Sequence, residues 1–306
     1  MVMEKKHLLL IDGMALLFRA FYATAVRRNF MMNSGGTPTN AVQGYMKHLL
    51  TAAENVRPTH LAVCWDMGSM TFRNELYAGY KANRQAPPVE MIPQFDLARE
   101  VTTAFGIPNI GIAGYEADDC IGTICNLNKD ELQITVLTGD RDLLQIIDEQ
   151  VNVLIMQKGI GNYQHYTKST FREAFELDPI QLIDVKALMG DPSDGYPGVK
   201  GIGEKTAYKL IKEHKDIEGL IENVDTLSPS IRKKLEEDLE MLHLSRQLAK
   251  IKCDVQLEFA VIEATWGEIQ PLALDFIEKY ELKSVRNHLL KAKWLESAEE
   301  LSGSNI

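Results

Sequence analysis

Short apolar runs alternate along this chain with stretches in which apolar side chains return at helical spacing. The runs His7-Leu-Leu-Leu-Ile-Asp12, Leu61-Ala-Val-Cys-Trp-Asp66 and Ile134-Thr-Val-Leu-Thr-Gly-Asp140 predict buried parallel strands. Asn40 to Glu54 predicts an early amphipathic helix, and Ile121, Ile124 and Leu127 continue a helical period behind Glu116-Ala-Asp118-Asp119. Asp178-Pro179 and Ser228-Pro229 mark helix starts, and Ser230 to Lys250 is periodic enough for one or two packed helices. Leu257 to Phe259 predicts a short strand or extended segment. The pattern is that of an α/β protein with a mainly parallel central sheet flanked by helices, followed by a helical region.

Each of the three runs ends in an aspartate, and Asp142 follows Asp140 closely. Ligands of open α/β sheets gather at the carboxyl ends of the strands, so these carboxylates are expected at one rim, joined by Glu116, Asp118, Asp119, Asp191 and Asp194. Like charges in contact repel by about 4 kcal/mol per pair at an effective dielectric near 20, so the cluster calls for a cation. Oxygen ligands without histidine or cysteine point to Mg²⁺ or Mn²⁺ rather than Zn²⁺. Two such ions form the usual clamp for displacement at phosphorus, which makes a metal-dependent phosphodiesterase the working expectation. Taken singly, each acid is equally well a helix cap or first-turn residue; their joint occurrence at strand ends carries the reading. Asp140-Arg-Asp142 lacks the further ligands, sixth-position glycine and closing glutamate of a calcium loop. Gly198-Val-Lys-Gly201-Ile-Gly203 has neither the glycine spacing nor the preceding apolar strand of a dinucleotide site.

That glycine segment leads through Glu-Lys205-Thr206-Ala into an amphipathic helix start. Glycines allow close approach to a phosphate, amides at the helix start favour anions, and Lys200, Lys205, Lys209 and Lys212 add positive charge, as a phosphodiester grip requires. The plainer reading is a glycine-rich connector before a solvated basic helix. A second basic stretch, Thr71-Phe-Arg73 through Tyr77, Tyr80-Lys81 and Arg84, interleaves cations with tyrosines and suits a segment that contacts backbone and stacks on bases; a solvated loop is its bland alternative.

Leu10-Ile-Asp12-Gly13, Phe72-Arg73 with Tyr80-Lys81 and Arg84, Gly114-Tyr-Glu116-Ala-Asp118-Asp119, Thr138-Gly-Asp140-Arg-Asp142, and Met189-Gly-Asp191-Pro-Ser-Asp194 through Gly203-Glu-Lys-Thr206-Ala together resemble the 5′-nuclease family. That family includes the amino-terminal nuclease domains of family A DNA polymerases, phage 5′ exonucleases and flap endonucleases. The resemblance runs in unbroken order from Asp12 to about residue 260 and is strongest to stand-alone bacterial 5′-3′ exonucleases. It implies a PIN-like core over residues 1–175, including a helical arch at about 69–90. It also implies a DNA-binding helical region over 176–306, with a helix-three-turn-helix at about 185–215.

It further implies that Asp12, Asp66, Glu116 and Asp118 hold a first metal, and that Asp119, Asp140, Asp142 and Asp194, with Asp191 nearby, serve a second. On the same resemblance Lys81 and Arg84 are expected to be the catalytic cations of the arch, with Lys81 the more critical. Arg19, Arg73, Tyr80, Lys200, Gly201, Gly203, Lys205 and Thr206 are expected to contact DNA. The cofactors implied are two Mg²⁺ (or Mn²⁺), with K⁺ at the helix-three-turn-helix. The activity implied is cleavage near 5′ ends or flaps that leaves a 5′-phosphate and a 3′-hydroxyl, with RNA–DNA hybrids as further substrates. A catalytically silent DNA-binding module would lack metal ligands, and none is missing; a related metal-dependent ribonuclease would not need the glycine grip.

The remaining features change the picture little. The net charge of -10 seems unsuited to DNA, but many acids belong to the metal cluster or to the carboxyl-terminal part, and the bases concentrate in the two segments above. Low nonspecific affinity with steep salt dependence is expected. Cys64, Cys120, Cys125 and Cys253 lack paired spacing and read as reduced residues, mostly in the core. With no long apolar span and no signal segment, a monomeric cytoplasmic, nucleoid-associated protein is expected. Residues 297–306 are expected to fray.

Overall fold

The computed structural model describes residues 6–25 and 30–294. Six strands form one sheet: β1 (His7–Asp12), β2 (His60–Cys64), β3 (Asn109–Ile110), β4 (Gln133–Thr138), β5 (Val151–Met156) and β6 (Tyr163–Tyr166). Their order is β3-β2-β1-β4-β5-β6, parallel except for the last pair, which is antiparallel. The chain reverses its direction of winding between β1 and β4, and at such a switch point the helices leave in opposite directions and open a crevice at the carboxyl rim.

The helices of the core are α1 (Gly13–Thr24), α2 (Asn40–Val56), α3 (Phe72–Leu76), α4 (Ile92–Ala104), α5 (Ala117–Asn128) and α6 (Lys168–Phe175). They are followed by α7 (Leu182–Met189), α8 (Glu204–His214), α9 (Ile217–Glu222), α10 (Pro229–Glu237), α11 (Leu239–Ala249), α12 (Pro271–Lys279) and α13 (Lys283–Lys291).

Strand alternation explains the layering. Leu8 and Leu10 of β1 face one core with Ile134 and Val136 of β4, covered by α5 and by residues of α7, α8 and α11. Leu9 and Ile11 face the other, against α1, α2, α4, α12 and α13. Because both faces are covered, β1 is apolar between its polar ends His7 and Asp12, and Leu8 to Ile11 are fully buried.

The helix predicted over 40–54 spans Asn40–Val56, and the periodic stretch after Ser228 is the pair α10 and α11, with the Ser228 side chain accepting from Ile231 N at 3.4 Å. Leu257 to Phe259 forms no strand; the segment is irregular. Within 69–90 only α3 is regular helix, and turns follow it. The hairpin of β5 and β6 had no clear signal, because its strands are short and β6 is half exposed at the sheet edge. Residues 297–306 lie outside the described residues.

Candidate active site

The strand register places the rim. Asp12 is the last residue of β1, beside Cys64 of β2, while Asp66 lies two residues beyond β2 and Asp140 two beyond β4. Asp12 also caps α1: its Oδ1 accepts from Ala15 N at 2.9 Å and its Oδ2 from the Thr138 hydroxyl at 2.7 Å. Thr138 Oγ1 accepts in turn from Asp140 N at 2.9 Å, so one hydroxyl ties together the ends of the two central strands. Asp66 Oδ1 accepts from Ala117 N at 2.7 Å, which brings the first turn of α5, with Glu116 and Asp118, to the same rim.

Asp191 and Asp194 arrive from the turn after α7. Asp191 Oδ1 accepts from Ser193 N at 2.8 Å, and its backbone pairs with Tyr196. Gly198, at φ +63°, lets the returning chain cross the end of α7; a Cβ there would stand 2.3 Å from Gly190 N. Gly195, at φ +79°, lies against the segment carrying Lys81, where a Cβ would stand 2.6 Å from Gly79 O, and Lys81 N donates to Asp194 O at 2.7 Å. Lys81 itself is left-handed, at φ +53°, a conformation that costs a non-glycine residue free energy and is held here by these contacts.

Electrostatics follow from crowding under partial burial. Burial, with the charges of Asp66 and Asp140, pushes Asp12 up to about 7 against its two hydrogen bonds. Burial together with Asp140, Asp12 and Glu116 holds Asp118 well above the carboxylate range. Asp142 is pushed up to about 7 by burial and Asp140, and Asp66 is raised by burial and Glu116. Asp191 moves the other way: burial would raise it, but Lys186 and Ser193 outweigh that and lower it.

Two lysines thread the cluster. Lys81 Nζ lies 2.5 Å from Glu116 Oε1 and 4.0 Å from Asp194 Oδ2, while Arg84 Nη2 donates to Asp194 Oδ1 at 2.8 Å. Lys186 Nζ lies 2.6 Å from Asp142 Oδ1 and also contacts Asp191 Oδ2. Burial would lower the Lys81 ammonium, but Glu116 and Asp194 outweigh it and hold it raised. Among the described residues no three Asp, Glu, His or Cys side chains close around a common point at ion-binding distance. As they stand, Glu116, Asp142, Asp191 and Asp194 are partnered by ammonium or guanidinium groups. The donor set is all oxygen and several members are biased toward the neutral acid by burial and mutual repulsion, so a hard divalent cation fits it.

Two expectations are corrected. Arg73 is 2% exposed and its guanidinium is engaged inside the protein, so it offers DNA nothing. Tyr80 is 3% exposed; its ring stacks on Tyr196 and its hydroxyl donates to Glu116 Oε2 at 3.0 Å and Asp194 Oδ2 at 3.1 Å, so it packs under the site instead of stacking on a base. Asp119 is fully buried beneath the rim, bonded to Arg73.

Lys200, Gly201, Gly203 and Lys205 are exposed around the start of α8, for which Gly203 is the N-cap, and Thr206 is half-buried in its first turn. Arg19, in α1, donates to Met156 O and Gln157 O at the end of β5. Two residues that sequence reading passed over complete the site, Thr138 and Lys186. Lys186 had a signal: Leu182-Ile-Asp-Val-Lys-Ala-Leu-Met is apolar except for two charges.

An acid-lined crevice at a switch point, overhung by Lys81 and Arg84 and flanked by an exposed glycine-rich helix start, defines a class of phosphodiester-cutting folds. Residues 7–176 match the N-terminal resolvase-like domain of 5′-3′ exonucleases, and residues 177–271 match their C-terminal SAM fold. The chain belongs to the 5′-3′ exonuclease family. It is 56% identical to a 5′-3′ exonuclease of Bacillus subtilis (strain 168), covering 94% of this chain and 98% of that one. It is 43% identical to DNA polymerase I of Streptococcus pneumoniae (strain ATCC BAA-255 / R6) over 81% of this chain, which spans 29% of the polymerase's length. The fold is shared with the bacteriophage T5 flap endonuclease, solved as a pseudo-enzyme-product complex with DNA and metal ions. The TM-score is 0.67 at 22% identity, over 94% of this chain and the whole of that one.

Proposed function

We propose that this chain is a divalent-metal-dependent 5′-3′ exonuclease and 5′ flap endonuclease, acting as a monomer in replication and repair on DNA and on RNA primers paired to DNA. The observation that carries the reading is the convergence of carboxylates from β1, β4, α5 and the turn after α7 at one crevice, with Lys81 and Arg84 at its mouth. Asp12, Asp66, Glu116 and Asp118 would hold one ion, and Asp140, Asp142, Asp191 and Asp194 a second, each Mg²⁺ or Mn²⁺. When bound, such a pair supplies activation of the attacking water and stabilisation of the departing oxygen.

The protein's own part is positioning. Ala15 N and Thr138 fix both oxygens of Asp12, and Ala117 N fixes Asp66. Lys81 and Arg84, now paired with Glu116 and Asp194, would exchange those partners for the scissile phosphate and balance its developing charge. Residues 185–215 grip the duplex: Lys200 and Lys205 flank the exposed amides at the start of α8, and backbone carbonyls of that turn are the donors a K⁺ ion would use. On this division residues 1–175 cut and 176–306 hold.

The test is a 5′-flapped duplex incubated with wild type and with an Asp140→Ala, Asp142→Ala variant, with and without Mg²⁺. Only wild type with metal is expected to release short 5′ products, the variant being slower by about 10³-fold or more. Cutting without metal, or undiminished cutting by the variant, overturns the assignment.

A further inference from the structure

Asp119 has no lone pair to spare. Its Oδ2 accepts from Arg73 Nη1 at 2.7 Å and from Glu116 N at 3.1 Å; its Oδ1 accepts from Arg73 Nη2 at 2.8 Å and from Lys252 N at 2.9 Å. A carboxylate presents about four acceptor sites, and four donors occupy them. Arg73 is saturated in the same way. Besides the fork on Asp119, Nη1 reaches Glu116 Oε2 at 3.3 Å, Nε donates to Leu248 O at 3.0 Å, and Nη2 to Lys250 O at 2.9 Å, which accounts for the five N–H groups of a guanidinium. Both side chains are at most 2% exposed.

Three segments distant in sequence meet at this pair. Arg73 belongs to α3, at the base of the segment carrying Lys81 and Arg84. Asp119 and Glu116 form the capping box of α5, whose first turn presents Glu116 and Asp118 to the rim. Leu248 lies in the last turn of α11, which packs on α7 just before Asp191, and Lys250 and Lys252 follow that helix. Replacing a buried ion pair with apolar residues is often neutral for stability, so stability alone does not account for it. Fixing orientation among three segments does.

We propose that Asp119 is a positioning residue and not a metal ligand. With Arg73 it locks the cation-bearing segment, the first turn of α5 and the end of α11 into one block, so that Lys81, Glu116 and Asp118 hold a fixed mutual geometry. This rests on the nuclease reading above.

Mn²⁺ binding is to be titrated by electron paramagnetic resonance in wild type, Asp119→Asn, Arg73→Lys, the double variant and Asp118→Asn, with kcat and KM measured on the flapped duplex. Asp119→Asn and Arg73→Lys are expected to bind as many ions as wild type, to lose about 10- to 100-fold in kcat from misplaced groups, and to keep KM within about threefold. Their effects are not expected to multiply in the double variant, because each breaks the same link. Loss of an ion in Asp119→Asn, or multiplying effects, overturns the role. If that variant does not fold, manganese anomalous scattering from wild-type crystals decides: an ion bonded to an Asp119 oxygen refutes the proposal, and an ion bonded only to neighbouring acids supports it. A wild type that neither binds Mn²⁺ nor cuts the flap sinks the nuclease reading itself, whereas a cutting wild type whose Asp119→Asn variant has lost an ion sinks only the positioning role.

Discussion

The rim and the glycine segment handle charge in opposite ways. At the rim, carboxylates are drawn together and buried, and burial, with their mutual repulsion, pushes Asp12 and Asp142 up to about 7. Around the start of α8, Lys200, Gly201, Gly203 and Lys205 stand exposed. A crowded rim stores an electrostatic cost that a bound cation relieves; an exposed segment offers amides and ammonium groups to a backbone that arrives already charged. On the proposed function the rim breaks the bond and the glycine segment holds the duplex, and each of these two roles can be broken separately.

The largest effect is expected at Lys81. Its ammonium sits 2.5 Å from Glu116 Oε1, and its backbone is held left-handed by the Asp194 turn, so it is aimed at the rim. Lys81→Ala is expected to lower single-turnover cleavage by about 10²- to 10³-fold, with duplex affinity changed by less than about threefold. Binding measured by fluorescence anisotropy in Ca²⁺ separates the two quantities. A variant that cuts normally at saturation but binds poorly would move Lys81 from the rim to the grip and erase the contrast.

Next is Gly201, at φ +80°, where an added Cβ would lie 3.0 Å from Lys234 Nζ; that ammonium donates to Gly201 O at 2.8 Å. Gly201→Val forces a β-branched residue into a region costing about 1–3 kcal/mol, which should weaken duplex binding by about tenfold and leave cleavage at saturating enzyme within about threefold. Equal binding with impaired cleavage would be the contrary outcome.

The two regions also differed in how much the sequence disclosed. Acids at the ends of continuous apolar runs are readable because a strand buried on both faces can end in only one place, the rim. Exposed lysines after glycines are readable because their side chains stay in solvent while Val199 and Ile202 between them anchor the segment in the core. Between them, Arg73 and Tyr80 were misplaced for one reason. A basic, aromatic stretch looks solvated until a distant segment covers it, and the cover is supplied by Leu248 and Lys250, 175 and 177 positions beyond Arg73. Nothing within Thr71 to Arg84 encodes that lid. Lys186 is the converse case: one of two charges in the apolar helix α7, it is pulled into the rim by the turn that carries Asp191.

The smallest effect separates the rim from the core beneath it. His48, in α2, is 4% exposed, and its Nδ1 has no hydrogen-bond partner among the described residues. Burial, with the charges of Arg19 and Lys47, lowers it to about 4. A histidine depressed in the fold is neutral there and must take up a proton on unfolding in acid. Its stabilising contribution is therefore present above about pH 6.5, the ordinary value, and is lost progressively as pH falls from there toward 4. Between pH 7 and 5.5 the loss amounts to about 1 kcal/mol. The raised rim carboxylates act with the opposite sign, since a carboxyl held above its unfolded value favours the fold as pH falls, so wild-type stability alone would blur the two. Urea unfolding of wild type and His48→Gln at both pH values isolates the histidine: the variant should lose about 1 kcal/mol less than wild type on acidification, while the rim's contribution cancels in the difference. A difference of zero would mean that His48 keeps the same charge on unfolding, and that any acid sensitivity of this protein belongs to other groups, among them His7, His60 and Asp191, whose shifts share its sign.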